Sequence, residues 1–190
     1  SLIQENKLEE AQSFLENNRG QAQPYYFYVI ASQAAQNEAQ IDLAIRAIDQ
    51  GQSLAQEQLR QPDKFKPTYY TEEEWRQELE KNLLPMFLGL KGQLLIKRGQ
   101  EGEALPLLKQ AYELNQGKDA GVTADYVHAL LANQDFAQAT TVVEKYGQEE
   151  YINSELMGLL KQAYVGLHKS EEGWDKYQSE IQASAIKVMR

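Results

Sequence analysis

Apolar residues recur along this chain at spacings of three and four, the repeat of a helix face rather than the every-second-residue alternation of a half-buried strand. Tyr28, Ala31 and Ala35 form one stripe, and Ala44, Ile45 and Ile48 the next. Leu88, Gly92 and Leu95 follow, then Tyr126, Leu130 and Leu131, then Leu160, Ala163 and Tyr164. Ala, Gln, Glu, Leu and Lys fill the positions between, all residues that lose little freedom in a helix. Clusters of Gly, Pro, Asn and Asp interrupt the stripes at 17–24, 60–67, 99–102, 115–121, 133–135 and 168–173. Such clusters end helices, and connections this short turn the chain back on itself. The pattern predicts an all-α fold of antiparallel helix pairs.

The stripes also repeat. In the stretch from Gly99 to Leu114, a turn is followed by Ala104, Leu108 and Ala111 on one face. Moving 35 residues on from Ala104 reaches Ala139, and 34 further reaches Gly173; to the other side, Ala44 lies 33 residues after Ala11. Each of the five small residues follows a turn and heads an apolar stripe. This register resembles the tetratricopeptide repeat, whose period is about 34 residues with two helices per unit. The resemblance implies a right-handed α-α superhelix of about four units, spanning residues 1–190 as one helical domain, in which alanines let neighbouring helices pack closely. Gly92 falls where the family places a small residue in its first helix, whereas Gln116 replaces the family's usual proline after the second.

The interval from Ala44 to Ala104 is 60 residues, one repeat and about 26 more, so an insertion at residues 61–84 interrupts the register. It should contain a loop at 61–70 and a new helix opened by Thr71, because Thr71 and Glu74 match a capping box ahead of Trp75. Pro85 is expected to kink that helix or to begin the next unit.

Composition narrows the function. Hydrophobic residues make up 42% of the 190, and 28 acidic against 19 basic residues give a formal charge of −9. That charge repels phosphate backbones, and no dense basic patch overrides it, so nucleic acid is not an expected partner. The longest apolar run, at 83–90, is broken by Pro85 and Gly89 and falls short of the roughly 20 residues of a membrane span. There is no cysteine, hence no disulfide or thiol chemistry. His128 and His168 are 40 residues apart and lack the spacing of a metal pair. The paired acids Glu9/Glu10, Glu72 to Glu74, Glu149/Glu150 and Glu171/Glu172 fall at helix starts or turns, where they complement the helix dipole. Gly99 and Gly102 are turn glycines, since no Gly-Lys-Ser/Thr follows to make a phosphate loop. No catalytic residue, cofactor or metal is therefore expected. The aromatic runs Tyr25 to Tyr28 and Tyr69, Tyr70, Trp75 admit two readings, a recognition surface or helical core.

In the family the resemblance points to, the first helices line a groove that holds an extended peptide. Carried over residue by residue, that face takes Tyr26, Val29, Gln33 and Asn37, then Gln93 and Lys97, then Ala124 and His128, then Gln162. Only Lys97 and Asn37 have the chemistry of the family's carboxylate clamp, and the insertion separates them, so the resemblance implies a neutral polar peptide or a neighbouring segment as ligand.

The closing stretch from Tyr164 to Arg190 ends in a helix without a stop signal, and the chain opens at Ser1 without methionine. The tail resembles the helical region preceding a thioredoxin-like domain in some bacterial extracytoplasmic thiol-disulfide proteins. That resemblance implies a fragment of a longer, exported protein, whose redox chemistry would lie in a domain outside this sequence. The expected function is a non-enzymatic scaffold binding a protein, a peptide or an attached domain; the alternative is an independent adaptor or assembly factor.

Overall fold

A computed structural model describes residues 7–188, with side chains to 184. Ser1 and Arg190, on which the expectation of a longer chain rests, lie outside the described residues. Every regular element among the described residues is helical. The chain divides after Leu94 into two compact units, and each is described by itself.

The first unit contains α1 (Leu8–Asn17), α2 (Pro24–Ala34), α3 (Ile41–Arg60), the single turn α4 (Pro62–Phe65) and α5 (Glu72–Gln77). Pro24 opens α2 at its first position, where the missing N–H has no helical partner to lose. The turn between α2 and α3 is short, and these two helices make the most extensive helix contact of the unit. Phe27, Ile30, Ala31 and Ala34 of α2 meet Ala44, Ala47 and Ile48 of α3, all fully buried. Gly51 of α3 admits the Phe87 ring and the Phe27 Cβ, and a methyl group there would overlap both.

The capping box is formed as expected. The Glu74 N–H donates to Thr71 Oγ1 at 3.2 Å, and the Thr71 N–H donates to Glu74 Oε2 at 2.8 Å. The Thr71 backbone N–H, and after it the Thr71 hydroxyl donating to Glu74 Oε2 at 2.8 Å, hold the Glu74 carboxyl below its usual pKa. From α5 the helix runs on without a break, through a π-helical stretch Glu78–Leu83 and into α6 (Leu84–Lys97). The Leu84 N–H bonds to the Leu79 carbonyl, five residues back. In an α-helix the Pro85 ring would collide with the Lys81 carbonyl and leave it unpaired; widening the helix just before the proline moves that carbonyl aside. The helix therefore continues through Pro85.

The second unit holds the end of α6 with α7 (Glu101–Asn115), α8 (Ala120–Ala132), α9 (Phe136–Glu149), α10 (Ser154–His168) and α11 (Trp174–Val188). One turn device recurs. After α6, α7 and α8 the chain enters the left-handed region at Gly99, Gln116 and Gln134, and the next N–H reaches back five residues: Gln100 to Leu95, Gly117 to Tyr112, Asp135 to Leu130. These are Schellman-type ends, which satisfy carbonyls the helix would otherwise orphan. The side chains of Asp119, Asp135 and Asn153 cap the starts of α8, α9 and α10. Sequential helices pack from α7 through α10; α8 also packs on α10, and α9 on α11.

The small residues of the register occupy one structural position. Ala11, Ala44, Ala104 and Ala139 are each the fourth residue of their helix, none more than 5% exposed. Gly173 is not a fifth member. It lies exposed in the turn before α11 with φ +87, and the fourth residue of α11 is Tyr177.

Replacing Ala104 or Ala139 by Leu should overpack a helix interface and lower unfolding free energy by about 1–3 kcal/mol. Gly51→Ala tests the same point in the first unit. Alanine is favoured in a helix interior by about 1 kcal/mol, yet the clash with Phe87 should outweigh that gain. Denaturant unfolding of the three variants checks this, and unchanged midpoints would remove the close-packing account.

Candidate functional site

The two aromatic runs, far apart in sequence, converge on one pocket within the first unit. Gln23, Tyr25 and Tyr26, around the start of α2, line one side; Pro67, Tyr69 and Tyr70 of the loop before α5, Trp75 of α5, and Glu78 and Leu83 of the π-helical stretch line the rest. Its volume is about 230 Å³. Helix start, loop and π-helix each have a local cause already visible: proline at the first position of α2, the capping box at Thr71, and relief of Pro85. Residues 67–83 thus supply most of the lining.

The rings are braced from behind. Tyr25 stacks on Tyr28 at 6.4 Å between centroids, and Tyr28 meets the buried Phe87 edge-on at 5.8 Å. Across the pocket Tyr69, Tyr70 and Trp75 form a chain, at 4.9 and 5.3 Å. Lys66 Nζ donates to the Tyr70 carbonyl at 3.2 Å, and Arg76 Nη1 to the Leu59 carbonyl at 3.3 Å, tying loop and helix down. Large rings nevertheless face solvent, Tyr25, Tyr26 and Tyr69 being 52%, 50% and 81% exposed. Phe27, from the same run, is fully buried, so the run divides between surface and core.

The pocket lining holds one acid, with the Lys66 ammonium behind the Tyr70 wall. Glu78 is the one charged residue lining the pocket, its carboxylate accepting from Asn82 Nδ2 at 2.7 Å. The Tyr70 hydroxyl is pushed above its ordinary pKa, first by burial and then by Glu78, Tyr69 and Glu74. Two covered polar atoms of lining residues have no partner, the Trp75 indole N–H and Gln23 Oε1.

The groove residues expected from the repeat register are scattered by comparison. Tyr26 lines the pocket. Gln33 is half-buried on α2 and Gln93 is exposed on α6. Asn37 lies beyond the end of α2, capping the turn Glu38–Gln40 by accepting from the Ala39 N–H at 3.0 Å, so it is not on the α2 face at all. In the second unit Lys97, His128 and Gln162 are exposed on α6, α8 and α10, while Ala124 is core. Gln23, Pro67, Glu78 and Leu83 were not singled out by sequence. The neighbouring capping box and Pro85 were the available signals for the last two.

A second cavity, about 440 Å³, lies among α9, α10 and α11, lined by residues including Glu144, Tyr164, His168 and Tyr177. Tyr177 donates its hydroxyl to Glu144 Oε1 at 2.6 Å and stacks on Tyr164 at 5.2 Å. Here a tyrosine holds the place that alanine holds in α1, α3, α7 and α9.

Against this geometry, residues 95–163 match the family model of the tetratricopeptide repeat. The match covers α7, α8, α9 and most of α10, and the fold it describes is a helical array of the tetratricopeptide type. The aromatic pocket lies wholly outside the matched residues. No curated protein and no solved structure matches the chain.

Burial, then the bond to Glu144, raises the pKa of Tyr177 well above its ordinary value. The unfolded chain therefore releases this proton first as pH passes about 10, so the contribution is complete below that pH and declines above it. Tyr177→Phe should flatten the alkaline fall in stability, as read from unfolding midpoints between pH 9 and 11.5; an unaltered slope would contradict the assignment.

Proposed function

We propose that this protein is a non-enzymatic scaffold that binds another protein or a peptide, as an accessory domain of an exported protein whose thioredoxin-like domain lies outside this sequence. The observation that carries the scaffold reading is the match of residues 95–163 to the tetratricopeptide repeat, a family of protein-binding arrays. Exposed polar residues on the first helices, Lys97, His128 and Gln162, supply a face for an extended peptide. The acidic balance supports a protein ligand over nucleic acid, and no described helix is long and apolar enough to cross a membrane.

The attachment to a thioredoxin-like domain, and with it an extracytoplasmic location, is supported by the resemblance of the tail alone. An independent adaptor is the other reading. The native reading frame decides between them: a signal peptide before Ser1 and a Cys-x-x-Cys domain after Arg190 favour the first, and neither feature favours the second.

The binding face is tested with a photo-crosslinking residue at His128, on a first helix, and at Lys109, exposed on the second helix α7. In the native host, the His128 probe should capture a defined species that excess unmodified protein competes away, and the Lys109 probe should not. Equal capture at both positions, or none at either, would contradict the reading.

A further inference from the structure

We propose that the pocket formed by Tyr25, Tyr26, Tyr69, Tyr70, Trp75 and Glu78 receives the guanidinium of an arginine side chain presented by an extended segment of a partner protein. This rests on the reading of the chain as a protein-binding scaffold, and adds a site outside the residues that match the repeat family.

Four observations converge. The first is shape: a volume of about 230 Å³ holds one long side chain, whereas an entire helix is roughly 10–12 Å across. The second is the lining of solvent-facing tyrosines and a tryptophan, whose electron-rich ring faces attract a cation, and a planar guanidinium most of all because it also stacks. The third is sign. Glu78 is the charged group of the lining, Glu74 acts on Tyr70 from the first turn of α5, and the chain as a whole carries −9. A carboxylate accepts from a guanidinium in paired, charge-assisted bonds.

The fourth is the pair of unsatisfied groups. Trp75 is 6% exposed, and its indole N–H has no acceptor; Gln23 Oε1 is covered and has no donor. Buried polar atoms normally have partners. An arginine in an extended peptide brings guanidinium N–H groups for Glu78 and, where its entry shifts the side chains that cover them, a donor for Gln23 Oε1 and backbone carbonyls for the indole. A lone carboxylate or phosphate would meet Glu78 with the same sign. The π-helical stretch carrying Glu78 and Leu83 adds context, because such segments recur at functional sites.

The test follows the Trp75 indole N–H resonance in ¹⁵N-labelled protein carrying Trp174→Phe, which leaves Trp75 as the sole tryptophan. The probe is the peptide acetyl-Gly-Gly-Arg-Gly-Gly-amide, compared with its citrulline counterpart, which has the same shape and no charge. Saturable displacement by the arginine peptide, weakening with salt and by about tenfold in Glu78→Gln, is the expected result. Tyr26→Ala, an exposed position, should weaken it about threefold. An equal response to the citrulline peptide, a response to maltotriose in its place, or no displacement by the arginine peptide would each overturn the proposal. Retained far-ultraviolet circular dichroism in each variant separates lost binding from lost fold. Crosslinking from His128 reads the second unit, so the scaffold reading can survive a negative result here.

Discussion

The close approach of helices at the fourth residue of α1, α3, α7 and α9 is the constraint on which the rest depends. A side chain larger than a methyl group at Ala11, Ala44, Ala104 or Ala139 would push neighbouring helices apart and open the interdigitated core behind them. In the first unit Gly51 extends the same principle, giving the Phe87 ring its place against α3. Phe87 in turn backs Tyr28, and Tyr28 backs Tyr25 at the pocket. A line of packing thus runs from a missing side chain in the core to an exposed ring at the surface. The exception clarifies the rule: Tyr177 stands at the fourth position of α11, and there the chain has a cavity and an aromatic stack.

The pocket arises from residues 67–83 together with the start of α2, outside the residues that match the repeat family. A capping box fixes where α5 begins, and a π-helical stretch accommodates Pro85 without breaking the helix. Between them these two features aim Trp75, Glu78 and Leu83 toward Tyr25 and Tyr26. The result is a recess with aromatic walls and a single carboxylate.

The helical class, most of the turns and the alanine register were legible because each has a local signature: period, Gly and Asn punctuation, a small residue after a turn. The capping box at Thr71 was legible for the same reason. The pocket was only half legible. Both aromatic runs stood out, yet their convergence depends on the path of the loop through Pro67, which no local pattern encodes. Carrying the groove over by register placed Asn37 on a helix that ends at Ala34, since the short turn after α2 has no Gly or Pro to announce it. Gly173 was matched to the alanines by spacing, small size and its place between a turn and an apolar stripe. Its positive φ marks it as a turn residue, a distinction that residue size cannot make.

The most direct measurement of the central claim, that residues 67–83 and the start of α2 form one recognition site, is amide hydrogen exchange with and without an arginine-rich peptide. The account predicts added protection at residues 67–83 together with 23–28, and little change in α9. Protection confined to one of those two segments, or spread evenly along the chain, would contradict it.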